Sequence, residues 1–227
     1  MTTQYAWRRA AALLLAGAAS SIAASSTASA APMGFKDSWM SMGDLGTNWR
    51  EVYANYALTP QDAFGVADTW MRSDDRQSTL NLTDLTYTRL VQRWNGSEAQ
   101  TNLWFVGGIG EAQTHDQASG KSATRAMLSP GTQFDYETRR LYFAATARLY
   151  RAEGINHDYG AIRGGFSFYE TEYDETQPWF VLEARRMHDL SDKTEITPML
   201  RLINKGLFVE AGVNNSRQPR LNFMLIF

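Results

Sequence analysis

The feature that most constrains the fold of this 227-residue chain is an alternation of apolar and polar residues with a period of two. In residues 141–149 the odd positions are all Leu, Phe or Ala, and they alternate with Tyr142, Thr146 and Arg148. A strand directs successive side chains to opposite faces, whereas a helix would need a period of 3.6. The pattern therefore predicts an all-β chain whose strands each have one apolar face.

Turn-like clusters divide the chain into runs of strand length. They predict strands near 48–58, 62–72, 79–93, 99–112, 124–137, 140–152, 159–171, 177–187, 194–204, 206–214 and 219–227. Residues 34–42 are the natural twelfth strand, since single-chain barrels of bacteria normally use an even number. Their alternation is poor, so ten strands with an irregular amino-terminal segment is the alternative. Pro130 and Pro198 cannot donate a ladder hydrogen bond, which predicts a bulge or a misplaced strand limit at each.

The last predicted strand presents one apolar stripe, formed by Leu221, Phe223, Leu225 and Phe227. A membrane barrel needs such a stripe because one face of its final strand contacts lipid. This ending resembles the carboxy-terminal signature of bacterial outer-membrane β-barrels, in which a terminal Phe is read by the assembly machinery. The resemblance covers the final strand alone. It implies an antiparallel transmembrane barrel of about twelve strands, contacting outer-membrane lipid and lipopolysaccharide. Barrel assembly machinery and periplasmic chaperones are the partners that it implies during biogenesis.

The amino-terminal region has the three parts of a secretory signal peptide. Arg8 and Arg9 supply the positive charge, residues 10–19 the short apolar core, and residues 28–30 a small-residue cleavage site. The apolar core is too short to span a bilayer as a helix. We therefore predict a signal peptide at residues 1–30, cleavage near Ala30, a barrel domain at 31–227 and a location in the bacterial outer membrane.

Composition excludes several other classes of protein. Without the two signal arginines, 20 basic and 24 acidic residues give a formal net charge of 20 − 24 = −4, which is no footprint for nucleic acid. The chain has no Cys, and its mean hydropathy is −0.39. A barrel hides its apolar surface in alternation, so this average is compatible with one. The alternative is a secreted soluble barrel with apolar residues inside, because alternation alone does not distinguish inside from outside.

If the apolar stripes face lipid, the opposite stripes face the lumen. The charged and polar candidates there are Glu51, Asn55, Arg89, Arg148, Arg163, Glu183, Arg185, Arg201 and Glu210. Arginine forms fixed bidentate bonds to carboxylates, which favours a lumen closed by ion pairs. The same arginines could instead guide anionic solutes through a narrow passive channel, and small barrels that transport acidic sugars have this size. Both interpretations predict a protein that is not an enzyme.

The motif of known lipid-modifying barrel enzymes is missing from this sequence. Outer-membrane phospholipase and lipid A deacylase carry a Ser two residues after a His, but Gln117, Tyr159 and Leu190 occupy those positions here. A lipid-modifying hydrolase is therefore only an alternative.

Metal binding is the other alternative. Each histidine precedes an aspartate in a predicted external connection, so His115, His157 and His188 are candidate ligands for a divalent metal at the outer rim. A methionine cluster near the amino-terminus suggests soft-metal capture: Met33, Met40 and Met42. The stronger explanation is the ordinary one, since His and Asp are common turn residues and scattered methionines in an exported chain are more often incidental. No other cofactor is predicted.

Overall fold

The computed structural model describes residues 31–172, 174–191 and 193–227. The predicted signal peptide at residues 1–30 lies outside them. Within the described part of the chain, no helix is long and apolar enough to cross a membrane. The strands are β1 Trp39–Leu45, β2 Trp49–Ala57, β3 Asp62–Arg72, β4 Ser78–Asn95, β5 Ala99–Asp116, β6 Ser122–Leu128 with Gly131–Thr138, β7 Leu141–Ala152, β8 Ile155–Ser167, β9 Gln177–Met187, β10 Glu195–Asn204, β11 Leu207–Val213 and β12 Pro219–Ile226.

The twelve strands close into an antiparallel barrel. Each strand pairs with its neighbours in sequence, and β1 pairs with both β2 and β12: Met40 lies opposite Asn55 on one side and Ile226 on the other. Closure leaves the barrel no open sheet edge, which is the condition for placing strands in lipid. The all-β, twelve-stranded prediction is confirmed, and the ten-stranded alternative is wrong. The first strand begins at Trp39 instead of residue 34, because residues 35–38 form a turn, and Pro32 and Met33 before it pack inside the barrel.

The two prolines in predicted strands have different effects. β6 is interrupted at Ser129 and Pro130, but its pairs Leu128–Ile109 and Gly131–Val106 on the two sides keep the same register with β5. The expected bulge at Pro130 is therefore wrong, and only the strand limit is affected there. The expectation for Pro198 is wrong, because β10 continues through it with Leu182 opposite. The pairing of β10 with β11 starts only at Met199, after Pro198. The missing N–H of Pro198 therefore costs that pairing no hydrogen bond.

The outer wall changes character along its height. Four neighbouring strands carry an apolar row whose side chains are more than half exposed, formed by Val66, Leu85, Ile109 and Leu128. One step nearer the end opposite the chain termini, the outward residues in register are Asp68, Thr83, Glu111 and Ala126. Since charged groups avoid hydrocarbon, the lipid-facing belt ends between these two rows.

Side chains fill the lumen in layers. Near the end opposite the termini, a buried apolar layer is formed by Trp49, Met71, Leu80, Leu82, Ala112, Met127, Tyr150, Ile155 and Met187. Near the other end, Met33, Ala57, Ala63, Leu90 and Trp104 make a second apolar cluster. Charged and hydrogen-bonded residues occupy the level between them. The barrel therefore has a packed interior.

Candidate functional site

Inside the lumen, Glu210 accepts hydrogen bonds from side chains of three other strands. Arg201 Nε donates to its Oε1 at 2.7 Å, while Arg163 and Asn222 donate to its Oε2, the latter at 2.8 Å. Arg201 and Glu210 have no exposed surface. A buried carboxylate of this kind is tolerated only because cationic and neutral donors use its lone pairs.

Arg220 joins a second group of carboxylates. Its guanidinium lies 2.8 Å from Asp44, 3.2 Å from Glu183 and 3.6 Å from Glu195. Arg185 contacts Asp44 and Glu195 as well, at 3.2 Å and 2.7 Å. Each charge is thus bonded to more than one opposite charge, which fixes the side chains in place.

Arg163 connects the two groups, since its Nε lies 3.1 Å from Glu183 while its Nη2 contacts Glu210. We call the connected set the main network. Its members are Arg163, Arg185, Arg201, Arg220, Asp44, Glu183, Glu195 and Glu210. Four guanidinium groups balance four carboxylates, so the formal charges cancel.

Aromatic rings hold the central arginine of this network. The Arg201 guanidinium carbon lies 4.4 Å from the centre of the Tyr142 ring and 4.7 Å from that of Phe208. A planar guanidinium is attracted to ring faces, and the attraction is strongest where water is excluded. Arg201 is therefore restrained both by its carboxylate and by the two rings.

A smaller set, the Arg148 cluster, lies on the opposite wall. Arg148 contacts Asp84 at 2.7 Å and Glu51 at 3.3 Å, and Ser129 donates its hydroxyl hydrogen to Asp84. Gly108 packs so closely here that a Cβ atom would overlap the Asp84 carboxylate and the Ser129 hydroxyl. One arginine thus faces two carboxylates. The imbalance distinguishes this cluster from the main network.

A cavity of about 190 Å³ lies between the two sets, with Glu51, Arg148, Arg163 and Glu183 in its lining. Pro32 closes part of it, and its carbonyl oxygen accepts a 2.8 Å hydrogen bond from Asn55 Nδ2. A cavity of this size has room for several waters. Pro32 thus contributes to sealing the lumen.

Next to Pro32, Met33 packs with Trp104. Met40 and Met42 pack with an apolar cluster around Phe208 and Met224. The three methionines of the predicted soft-metal cluster are therefore divided between two apolar layers, in which they fill space.

At the opposite end, the loops enclose an open vestibule of about 960 Å³. Its lining includes His115, Asp116, His157 and Asp189. Asp75 also faces this space, and the hydroxyl of Ser73, followed by the Gln77 amide, holds the pKa of Asp75 below its ordinary value. Leu80 and Ile155 belong both to the vestibule lining and to the apolar layer beneath it. Apolar side chains therefore form the bottom of the vestibule.

The histidines do not assemble into a metal centre. Within the described ranges, no group of three or more His, Cys, Asp or Glu side chains is placed to hold a metal ion. His115 contacts Ser122 at 2.9 Å and His188 contacts Asp189 at 3.3 Å, while only His115 and His157 line the vestibule. The predicted three-histidine site is wrong, because His115 lies in β5, His157 in β8 and His188 in the turn after β9, and this arrangement does not group them.

Eight of the nine predicted lumen residues point inward: Glu51, Asn55, Arg148, Arg163, Glu183, Arg185, Arg201 and Glu210. Arg89 is wrong. It shares its face of β4 with the exposed Leu85, and it pairs with Asp62 at 2.9 Å on the outer wall. Polarity alone suggested an inward position, whereas the neighbouring Thr88 and Leu90 occupy it.

Sequence reasoning missed five residues that the ionic sets require: Asp44, Asp84, Ser129, Glu195 and Arg220. Strand parity alone would have found Asp84, since it shares a face with Leu82 and Thr86. The predicted insertion stripe lies on the outer wall as expected, with Leu221, Leu225 and Phe227 exposed and Phe223 packed over Gly43. Its recognition by assembly machinery stays a prediction.

The chain matches no protein-family model and no curated protein. Among solved structures it is similar to the KdgM porin, with 13% identity and a TM-score of 0.46 over 84% of this chain and 98% of that one. It is also similar to LpxR from Salmonella typhimurium, with 7% identity and a TM-score of 0.48 over 84% and 99%. A loop-deletion form of OmpT, an outer membrane protein of Vibrio cholerae, has 7% identity and a TM-score of 0.34 over 84% and 98%. The strand pairing, apolar belt and ionic lumen of the chain itself make it a small barrel of the outer-membrane type.

Proposed function

We propose that this protein is a structural barrel of the bacterial outer membrane with a lumen closed by ion pairs. One observation carries the proposal: Arg201 and Glu210, in the middle of the lumen, have no exposed surface. Lumen side chains of a water-filled pore would be accessible to water. Here Arg201 Nε pairs with Glu210 Oε1, and the rings of Tyr142 and Phe208 cover the guanidinium, so these contacts stabilise the pair without a solvent path.

The apolar belt supports the outer-membrane location. Phe64, Leu85, Ile109 and Phe227 are more than half exposed on the outer wall, and such surface would be unfavourable in water. With the chain termini on the periplasmic side, the vestibule opens outside the cell. Lipid and lipopolysaccharide then surround the belt, and assembly machinery and chaperones act only during biogenesis.

The test is planar-bilayer recording of refolded residues 31–227. A closed barrel should insert, migrate faster on gels before heating than after it, and produce no conductance steps. Discrete steps from a correctly folded sample would overturn the proposal. A porin refolded in the same lipid is the positive control, which separates a closed lumen from failed insertion.

The second candidate is a narrow channel gated by residues 31–38. Pro32 borders the central cavity and is held there by hydrogen bonds from Asn55 and Tyr53, instead of by strand pairing. Such a seal can leave while the barrel remains intact. The structural candidate predicts that deletion of residues 31–36 yields a silent barrel, and the channel predicts conductance steps.

An Arg148→Glu change in the deletion variant sharpens this test. Removing the one cation of the Arg148 cluster should shift any conductance from anions toward cations. Arg139→Glu in the same deletion variant is the matched control, since the Arg139 side chain is 86% exposed and does not line the cavity. Unchanged ion selectivity would exclude a pathway past Arg148.

A further inference from the structure

Two arginines flank a tryptophan on the outer wall, near the vestibule. The Arg50 guanidinium carbon lies 5.0 Å from the centre of the Trp70 ring, and that of Arg72 lies 5.6 Å from it. Arg50 is directly opposite Trp70 in the pairing of β2 with β3. Cation–π attraction thus holds two positive charges around one ring.

Neither cation has an acidic partner within the described residues. Arg72 donates to Asn48 Oδ1 at 2.9 Å and to the carbonyl oxygen of Thr47 at 3.4 Å, and both acceptors are uncharged. Asp68 is the nearest acidic residue along the same face of β3, but its carboxylate accepts the Thr83 hydroxyl at 2.8 Å. Within the described ranges, no carboxylate therefore compensates the positive charge of the pair.

Two other arginines on the outer wall do have acidic partners. Arg89 pairs with Asp62 and Arg151 with Asp158. An arginine on a lipid-facing wall is unfavourable unless it reaches an anion or the water interface. Among the described residues Arg50 and Arg72 have no such anion, and a ligand from outside the chain would supply one.

The height of the cluster indicates which anion that is. On the outward face of β3, Trp70 lies two residues beyond Asp68, which belongs to the first polar row above the belt. It lies four residues beyond the exposed Val66. Two residues span about 7 Å along a strand. The two arginines therefore lie at the level of lipid headgroups, where a tryptophan ring is also favoured.

We propose that Arg50, Trp70 and Arg72 bind a phosphate group of lipopolysaccharide in the outer leaflet. This inference rests on the proposed outer-membrane location and on the orientation that places the vestibule outside. Guanidinium groups bind phosphate through paired, charge-assisted hydrogen bonds, and the Trp70 ring holds them toward the membrane. The acyl chains of the same lipid would cover the apolar row beneath.

The test is native mass spectrometry of the refolded barrel titrated with purified lipopolysaccharide, its dephosphorylated form and phosphatidylglycerol. Replacing both cations, Arg50→Gln with Arg72→Gln, should weaken lipopolysaccharide binding by about tenfold or more. The matched control is Arg139→Gln with Arg140→Gln, which removes two charges at the opposite end of the barrel and should leave this binding unchanged.

The outcomes separate this site from the proposed function. Equal lipopolysaccharide affinity in the double variant and the parent would overturn the site, whether or not the barrel conducts. So would an equal loss in the Arg139 and Arg140 control, which would indicate attraction by net charge only. Preference for phosphatidylglycerol would overturn the assignment to lipopolysaccharide, and displacement by excess inorganic phosphate would indicate a free-anion site.

Folding of each variant is checked by its migration before and after heating. If the glutamine pair does not fold, Arg50→Lys with Arg72→Lys replaces it. Lysine keeps the charge but lacks the planar fork, so lipopolysaccharide binding should still fall by a few-fold. Full affinity in the folded lysine variant would overturn the bidentate phosphate site.

Discussion

The barrel contains two levels with opposite chemistry, although the same strands build both. At the level of the belt, β4 directs Asp84 inward and Leu85 outward. A few residues nearer the vestibule, the same strand buries Leu82 and exposes Thr83. The alternation continues without a shift, but its polarity is reversed.

The reason for the reversal is the medium outside the wall. Where the wall faces hydrocarbon, polar side chains are most stable inside, paired with one another. Where strands extend into water, the usual arrangement of a soluble barrel is restored, with an apolar interior. One strand can therefore belong to two environments, and the level at which its polarity reverses marks the membrane boundary.

The largest expected effect comes from breaking the ionic level. Arg220→Met should lower the free energy of unfolding by about 3–5 kcal/mol, because the buried Glu183 and the partly buried Asp44 and Glu195 lose a shared cation. Urea unfolding in lipid vesicles measures this. Arg139→Gln, at a side chain that is 86% exposed, is the control and should change little. A loss below about 1 kcal/mol for Arg220→Met would show that water reaches these carboxylates.

The apolar level should respond less. Leu82 is fully buried near the vestibule, so Leu82→Ala should cost about 2–3 kcal/mol through lost burial and a residual cavity. Gln113→Ala, on the exposed face of the neighbouring β5, is the comparison and should stay within about 0.5 kcal/mol. The same vesicle assay applies. Similar losses for both variants would contradict the apolar core proposed for this level.

The smallest effect tests the boundary itself. Ile109 lies in the last apolar row and Glu111 in the first polar row of the same strand. Ile109→Arg should cost about 1–2 kcal/mol, since apolar transfer is lost and a charge meets the edge of the hydrocarbon. Glu111→Arg should cost about 0.5 kcal/mol or less. If the two arginine variants unfold at the same urea concentration, the boundary lies elsewhere.

Period-two alternation was sufficient to predict most strands and their faces. It located β3 and β9 at their observed bounds, and it placed Arg163, Glu183 and Glu210 in the lumen. It misplaced Arg89, because an outward arginine beside Asp62 and Tyr87 has the same polarity as an inward one. It also placed β1 too early, since residues 35–38 form a turn ahead of the strand.

The partners within the ionic sets were beyond the reach of sequence patterns. Asp44 and Arg220 are 176 residues apart, and Glu51 and Arg148 are 97 apart. No local rule relates such positions, because their meeting depends on the number of strands, their register and the closure of β1 on β12. The same closure decides how much space remains in the lumen.

The sequence by itself determined that this chain forms strands with two unlike faces, because side chains alternate along any extended backbone. Only the tertiary structure decided which arginine meets which carboxylate, since charges from distant strands become neighbours when the barrel closes. It also decided where along each strand the lipid ends. That level emerges from many strands in register and is not a property of any one of them.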